Sequence, residues 1–277
     1  MTSLHRISAS LNTNEDEIYV KISNILHDLS GINLGPEKIN LMRARLIKRM
    51  RETGVQNIAD YLDLLNSPSA HEEFPHLISA LTTNYTNFFR EPHHFKVLIE
   101  TVLPALEARG ARTINIWSAG CSSGQEPVSI AITLADRLGT AFHRVRILGT
   151  DIDREILTKA SSFSYQEQEV SGIPRSSLIK YFRESNNKYQ LESHISEAIN
   201  YRELNLTSAW TMQKKHDVIF CRNVVIYFKQ RCQISVWEKI IDNLSSGGFL
   251  LIGHSERIPD ELRSSVEQFG PNSYRKH

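Results

Sequence analysis

The sequence predicts two parts, an all-helical region followed by an α/β domain whose sheet is mostly parallel. Its 277 residues suffice for about two domains. Apolar residues recur at helical spacing up to residue 81, and no strand-like alternation occurs before residue 82. Beyond about residue 111, short β-rich runs alternate with helical stretches, which is typical of βαβ units.

The predicted helical domain covers residues 15–81 and follows a polar stretch, 1–14, that we expect to be a mobile tail. A first helix ends at Gly31, and Pro36 opens a second helix that Gly54 ends. The apolar positions of the four predicted helices are Ile18, Ile22, Ile25, Leu26 and Leu29; Ile39, Met42, Leu46 and Met50; Ile58, Tyr61, Leu62 and Leu65; and Phe74, Leu77, Ile78 and Leu81.

Residues 82–110 are predicted to form a linker and a connector helix, which starts at Pro92 and ends near Gly110. The α/β domain then covers 111–277. Its predicted strands are 114–117, 145–149, 217–220 and 249–252, and its predicted helices are 128–138 and 154–160.

A polar segment at about 161–204 interrupts this alternation. It contains two short β-rich runs, 188–191 and 198–204. We interpret the segment as a small antiparallel insertion on the sheet domain.

The composition argues against several classes of protein. A balance of 32 basic against 31 acidic residues gives no global reason to expect a nucleic acid or an anionic membrane as partner. No apolar run approaches the roughly 20 residues that span a bilayer. Cys121, Cys221 and Cys232 form no close pair, which argues against disulfides and a zinc site. We therefore expect a cytoplasmic protein without a signal peptide, membrane insertion, a metal or a nucleic-acid partner.

A loop rich in small residues separates the first predicted strand from the next helix. It reads Trp117-Ser118-Ala119-Gly120-Cys121-Ser122-Ser123-Gly124-Gln125-Glu126-Pro127. Small residues let the backbone approach a ligand, and Pro127 suits a first helical turn, so the loop predicts a cofactor site. The phosphate-loop pattern and the dinucleotide fingerprint are both missing. A tight turn without a ligand is the alternative.

Polar residues also follow the later strands. Asp151 is placed to bind ribose hydroxyls, whereas Asp153 is better interpreted as a helix N-cap. Arg222, Asn223 and Tyr227 follow the third predicted strand, where ligands bind in open α/β sheets. The alternative is that the apolar residues among them are core and Asn223 a turn residue.

Two further polar segments complete the pattern. Residues 81–92 are dense in hydroxyls and amides and lie where the helical region meets the sheet domain, a preferred location for ligand sites. Asn205-Leu206 follows the insertion. By composition alone, the first of these is a capped loop.

These segments, in this order and spacing, resemble the CheR-type chemoreceptor methyltransferases from about residue 15 to 275. The most specific matches are Thr82-Thr83-Asn84-x-Thr86-x-Phe88-Phe89-Arg90, the glycine-containing loop, Cys221-Arg222-Asn223-Val224-x-Ile226-Tyr227-Phe228 and Gly253-His254-Ser255-Glu256. The resemblance implies a doubly wound, Rossmann-like S-adenosylmethionine-dependent methyltransferase domain with a small β-subdomain, preceded by an all-helical domain. It also implies methylation of receptor glutamate side chains, with S-adenosylhomocysteine as product.

The resemblance further implies the site residues. Contacts to S-adenosylmethionine would come from Asn84, Thr86, Arg90, Gly120, Glu126, Asp151, Asn205, Leu206, Arg222 and Asn223. Arg90 would lie near the incoming carboxylate, with Tyr227 close to the transferred methyl; a structural role for Tyr227 is the alternative. Gln125 and Val128 depart from the family, which usually has a glutamate and a tyrosine there.

The second predicted helix is basic and has no acid between Lys38 and Arg51. Since the resemblance implies glutamate-rich methylation helices of chemoreceptors as partners, we expect a complementary face to bind them. Its residues would be Arg43, Arg45, Lys48 and Arg49. A solvated basic face is the alternative.

The segment 183–188 is short and lacks glycine, which favours the type that does not need a C-terminal receptor pentapeptide. We expect a monomer. The competing functions are a cofactor-binding regulatory or scaffold protein that has lost turnover, and a methyltransferase of this fold that acts on RNA or a small molecule.

Overall fold

The computed structural model describes the backbone of residues 3–277 and the side chains of residues 15–277. The expected tail at 1–14 lies outside the residues described in full and stays a prediction. Within the described residues, no helix combines the length and the apolar character needed to cross a membrane.

One compact unit is helical and consists of Met1–Thr83 with Tyr227–Lys229. Its helices in the described residues are α1 (Ser3–Ser30), α2 (Ile39–Thr53), α3 (Ile58–Leu65) and α4 (Ala70–Leu81). Gly31 and Gly54 follow α1 and α2 with left-handed φ angles of 76° and 77°, as the predicted helix ends require. The predicted apolar faces form the core, which includes Leu26, Leu46, Tyr61 and Leu77.

The predicted connector helix is present but irregular. It consists of α5 (His93–Val97), a π turn (Leu98–Val102) and α6 (Leu103–Ala108). The π turn precedes Pro104, which has no N–H to donate to the turn before it.

The second compact unit, Asn84–Ile226 with Gln230–His277, contains the sheet. Its strands are β1 (Ile114–Ala119), β2 (Val145–Asp151), β3 (Ser164–Gln166), β4 (Phe182–Ser185), β5 (Lys188–Leu191), β6 (Ile199–Glu203), β7 (His216–Cys221), β8 (Leu244–Ile252), β9 (Val266–Gly270) and β10 (Ser273–Lys276). Its remaining helices are α7 (Gln125–Leu138), α8 (Arg154–Ser161), α9 (Glu167–Val170), α10 (Arg175–Tyr181), α11 (Ser193–Ser196) and α12 (Gln230–Asn243).

The main sheet has the strand order β6-β2-β1-β7-β8-β10-β9. The strands from β6 to β8 run parallel, and β10 and β9 are antiparallel additions. The chain builds outwards from β1, first through β2 to β6 and then through β7 to β8. The sheet is therefore doubly wound, and its switch point lies between β1 and β7.

The insertion is smaller than predicted. The sequence predicts that the strand at 198–204 belongs to the insertion. This prediction is wrong, because β6 pairs in parallel with β2 in the main sheet. Ile199 is buried opposite Ile147, and this burial favours the main sheet. The small antiparallel sheet consists of β3, β5 and β4.

Candidate active site

The loops after β1 and β7 form the candidate site. The glycine loop (residues 120–124) follows β1, and Arg222 and Asn223 follow β7. Ala119 and Cys221, the last residues of the two strands, are paired in register. Ligands bind in such a crevice at the carboxyl ends of an open α/β sheet.

Close packing explains the glycines of this loop. Gly120 and Gly124 have left-handed φ angles of 76° and 89°. A Cβ atom would lie 2.1 Å from Val224 Cγ2 at Gly120, and 2.4 Å from Tyr201 Oη at Gly124. Both positions therefore require glycine.

We expect Gly120→Ala to lower the free energy of unfolding and to weaken cofactor binding at least tenfold. The left-handed φ alone costs about 1–2 kcal/mol for a residue with a Cβ, and the methyl group collides with Val224. Thermal unfolding and calorimetric titration with S-adenosylhomocysteine measure the two effects. Gly110→Ala is the matched control, because its φ is +71° and nothing lies within 4 Å of its Cβ position. An equal loss of affinity in both variants would contradict the steric explanation.

Asp151 ends β2 beside the glycine loop. Its carboxylate accepts hydrogen bonds from the N–H groups of Ser122 at 2.8 Å and Asp153 at 3.1 Å. Burial raises the pKa of Asp151, and these hydrogen bonds oppose the rise. Its location suits the predicted contact with ribose hydroxyls, which stays a prediction.

Asp153 is the predicted N-cap of α8, and this prediction is confirmed. Its side chain accepts hydrogen bonds from the N–H groups of Glu155 at 2.9 Å and Ile156 at 3.1 Å. Its other oxygen accepts one from Asn84 Nδ2 at 2.7 Å. The Asn84 carbonyl in turn accepts one from Ser122 Oγ at 3.0 Å, so Asn84 is tied to the glycine loop and to α8.

Arg222 is a buried cation that joins distant parts of the sequence. Its Nη1 lies 3.1 Å from Glu126 Oε2, and its Nη2 lies 3.7 Å from Glu91 Oε2. Nη2 also donates to the backbone carbonyl of Arg90. Ser118 Oγ donates to Glu126 Oε1 at 2.6 Å. The structure thus brings together three predicted site residues, Arg90, Glu126 and Arg222.

Arg90 itself is half-buried. Its Nη1 donates to the Tyr85 carbonyl at 3.1 Å, and its guanidinium lies 6.0 Å from the centroid of the Tyr85 ring. Tyr85 is 74% exposed. A guanidinium on such an accessible segment is suited to bind a carboxylate.

Asn223 combines a strained backbone with an unpaired side-chain oxygen. It has φ +60°, which is uncommon for a residue with a Cβ. Its Oδ1 is buried and has no hydrogen-bond partner among the described residues. An unpaired buried acceptor costs free energy, so a ligand that donates to it would stabilise this conformation.

Three predicted cofactor residues remain: Asn205, Leu206 and Thr86. Asn205 and Leu206 follow β6, which lies next to β2 in the sheet. Asn205 Oδ1 accepts hydrogen bonds from the Thr207 N–H at 2.9 Å and from the Thr207 hydroxyl at 2.7 Å. Leu206 is buried, and Thr86 is half-buried two residues beyond Asn84. Their cofactor contacts stay predictions.

Sequence reasoning missed a group of titratable residues around Arg222. His254 Nδ1 lies 2.8 Å from Glu91 Oε1, and His94 is fully buried. Burial and the Arg222 charge lower the pKa of His94 to about 3. Glu91, His93 and His94 hold ligand-type atoms within 4.8 Å of one another, and the Glu91 carboxylate is already paired with Arg222 at 3.7 Å. The density of titratable side chains in this run of sequence is the signal that would find it.

The two departures from the family pattern are both buried. Gln125 Oε1 accepts a hydrogen bond from Ser123 Oγ at 2.7 Å, and Val128 belongs to the main hydrophobic core. The fold therefore accommodates both side chains in its interior.

Tyr227 ends a short 3₁₀ turn, Val225–Tyr227, and is grouped with the helical unit. Its carbonyl accepts a hydrogen bond from the Asn33 N–H at 2.9 Å, and Phe228 pairs with Ile32. The predicted catalytic role of its side chain stays a prediction.

Two predicted substrate-binding arginines have structural partners within the helical unit. Arg45 Nη1 donates to the carbonyls of Leu81 and Thr82 at 2.9 and 2.8 Å, at the end of α4. Arg49 donates to the two carboxylate oxygens of Glu73 at 3.0 and 2.6 Å. These contacts stabilise the helical unit, so charge reversal of either residue would disturb the fold.

The remaining basic residues of α2 are more accessible. The side chain of Lys48 is 82% exposed and lies 3.5 Å from Glu52, one turn away. Arg51 is also exposed, whereas Arg43 lies 3.1 Å from Asp16. The basic surface therefore depends mainly on Lys48 and Arg51.

Comparison with known proteins gives consistent matches. Residues 84–273 match the family model "CheR methyltransferase, SAM binding domain", and residues 17–82 match "CheR methyltransferase, all-alpha domain". The chain is 38% identical to a "Probable chemotaxis protein methyltransferase" of Rhizobium etli, over 91% of this chain and 96% of that one. It is 32% identical to a "Chemotaxis protein methyltransferase" of Borreliella burgdorferi, over 100% and 99%. It is 36% identical to the protein of that name in Escherichia coli, over 88% and 85%.

Proposed function

The chain belongs to the CheR methyltransferase family, and on that premise we propose that it methylates glutamate side chains of chemotaxis receptors. The observation that carries the proposal is the joining of Arg90, Glu126 and Arg222 at the carboxyl ends of β1 and β7. The contact runs from the Arg222 guanidinium to the Arg90 backbone carbonyl, and it supports the proposal that the Arg90 segment borders the cofactor crevice.

The residues present suit S-adenosylmethionine, which carries several hydrogen-bond donors and a cationic sulfonium. Asp151 and Glu126 offer carboxylate oxygens, and Asn223 offers an unpaired buried oxygen. Gly120 and Gly124 allow the backbone to approach a ligand. When bound, the cofactor supplies an electrophilic methyl group.

The chain's own contribution to the reaction is positional. A glutamate carboxylate has a pKa near 4.3 and is already an anion at neutral pH, so no general base is needed. The site must hold this weak nucleophile about 3–3.5 Å from the methyl group and exclude water. Arg90 would orient the carboxylate, but a very tight ion pair would stabilise the ground state and slow the reaction.

The direct test is methyl transfer from labelled S-adenosylmethionine to a purified receptor cytoplasmic domain. We expect base-labile label on receptor glutamates and no label on a receptor whose methylation glutamates are replaced by alanine. Calorimetry with S-adenosylmethionine and S-adenosylhomocysteine measures the cofactor site separately. Binding of both without transfer to any receptor would favour a regulatory protein.

We also propose that the exposed basic residues of α2 steer the glutamate-rich receptor helices. We expect the double variant Lys48→Glu, Arg51→Glu to raise KM for the receptor at least fivefold at low salt, with kcat and S-adenosylhomocysteine affinity unchanged. Methylation kinetics across a range of receptor and salt concentrations measure this effect.

A matched control for this pair is Lys96→Glu with Arg112→Glu. Both residues are exposed on the other unit, and Lys96 faces Glu100 one turn away at 3.9 Å, as Lys48 faces Glu52. The same rise in KM in the control pair would show that only net charge matters.

A further inference from the structure

Glu256 is a buried carboxylate that accepts hydrogen bonds from four backbone N–H groups. Its Oε1 accepts from Val224 and Val225, both at 2.9 Å. Its Oε2 accepts from Asn223 at 2.9 Å and Gly253 at 2.7 Å. The residue is only 2% exposed. Because an ionised carboxylate is an acceptor at both oxygens, only the charged form satisfies all four donors without competition.

These hydrogen bonds hold the backbone of the 223–225 turn, which follows β7 at the switch point. Asn223 has φ +60° in this turn, a conformation that costs free energy unless its surroundings impose it. A Cβ atom on Gly253 would lie 2.7 Å from Glu256 Oε2 and 2.9 Å from the Asn223 nitrogen. The loops after β7 and β8 therefore meet around the Glu256 carboxylate.

The turn also contacts the glycine loop. A Cβ atom on Gly120 would lie 2.1 Å from Val224 Cγ2, so the two segments pack without space for one methyl group. A shift of the 223–225 turn would consequently move the glycine loop or open a gap beside it. Asn223 and its neighbour Arg222, two predicted cofactor residues, would shift with the turn.

We propose that Glu256 is a positioning residue for methyl transfer, which fixes the 223–225 turn so that Asn223 and the glycine loop hold the cofactor in reactive geometry. The proposal rests on the proposed function and adds to it a residue that acts through the backbone rather than through the ligand. In a reaction that depends on orientation, a small displacement of the bound cofactor lowers the rate strongly.

The test is Glu256→Gln, in which an amide nitrogen replaces one acceptor oxygen and faces N–H groups. We expect kcat to fall at least tenfold at saturating cofactor and receptor, with KM for the receptor within twofold of wild type. S-adenosylhomocysteine affinity should fall at least tenfold by calorimetry. A merely structural residue would lower the unfolding temperature without this split between kcat and KM. Values of kcat and affinity within twofold of wild type would overturn the proposal.

Glu73→Gln is a matched control, since Glu73 is a buried carboxylate of the helical unit that accepts hydrogen bonds from Tyr61 Oη and Arg49. It should lower thermal stability and leave S-adenosylhomocysteine affinity unchanged. If Glu256→Gln does not fold, Glu256→Asp decides, because it keeps the charge but draws the carboxylate back from the N–H groups that it binds. We expect the same losses, and wild-type kcat and affinity would refute the proposal. The affinity readout holds even if wild type methylates no receptor, a result that would count against the proposed function alone.

Discussion

Arg222→Ala is expected to lower the free energy of unfolding by about 3–5 kcal/mol, because removal of the guanidinium leaves the carboxylates that it pairs with buried and without a cation. The Arg222 side chain is 2% exposed and pairs with Glu126 and Glu91. Burial already raises the pKa of Glu126, and the Arg222 charge opposes that rise. Without the guanidinium, Glu126 would bind a proton more readily, and the remaining contact to the Arg90 carbonyl would also be lost.

The same variant is expected to abolish detectable binding of S-adenosylhomocysteine. Chemical denaturation and calorimetry measure the two effects. Arg263→Ala is a suitable control, because Arg263 forms an ion pair with Asp260 whose two side chains are 69% and 84% exposed; its loss should cost less than about 1 kcal/mol. A comparably small loss for Arg222→Ala would contradict a central role for the buried network.

Arg90→Ala is expected to reduce methyl transfer more than tenfold while changing the free energy of unfolding by less than about 1 kcal/mol. The guanidinium is half-buried, and the carbonyl of Tyr85 is its hydrogen-bond partner among the residues that the structure describes, so its removal leaves no buried charge unpaired. We expect its contribution to turnover to be the orientation of the substrate carboxylate. Single-turnover methylation with saturating receptor measures this contribution.

Arg90→Lys tests whether a positive charge alone can replace the guanidinium. Lysine keeps the charge but lacks the planar fork that binds a carboxylate through two hydrogen bonds. We expect intermediate activity for this variant. Retention of at least a tenth of the wild-type activity by Arg90→Ala would count against a central role for Arg90.

The helices and the parallel strands are predictable because their signals are local. Gly31 and Gly54 mark helix ends by backbone conformation alone, and Asp153 marks the start of α8 by hydrogen bonds within its own turn. Pro36, predicted to open the second helix, starts a 3₁₀ turn, Pro36–Lys38, that leads into α2 at Ile39. Such features depend on residues close in sequence.

The partners of short strands are less predictable, because pairing is decided by distant residues. The run at 198–204 resembles the strand of a small hairpin, yet its neighbour is β2, about 50 residues earlier. The last two strands, β9 and β10, were not predicted for the same reason: both are short, and they join the sheet because β10 pairs with β8 and β9 pairs with β10.

The location of the candidate site is predictable from the sequence, but the contacts between its side chains are not. The segments after β1 and β7 were identified from their order, whereas the ion pair between Arg222 and Glu126 joins residues 96 positions apart in sequence. Likewise, the basic composition of α2 did not indicate that Arg49 is bound to Glu73. Contacts of this kind are set by tertiary packing.

Tyr227–Lys229 belong to the helical unit although the ribosome makes them after most of the second unit. Ile32 and Asn33 find their backbone partners at Phe228 and Tyr227, which are translated long after Thr83. At roughly 5–20 residues per second, about 7–30 s separate the two events. During this interval the backbone groups of Ile32 and Asn33 lack their partners in Phe228 and Tyr227. We therefore expect an isolated fragment ending at Thr83 to be cleaved more readily by proteases near Ile32 and Asn33 than the complete chain.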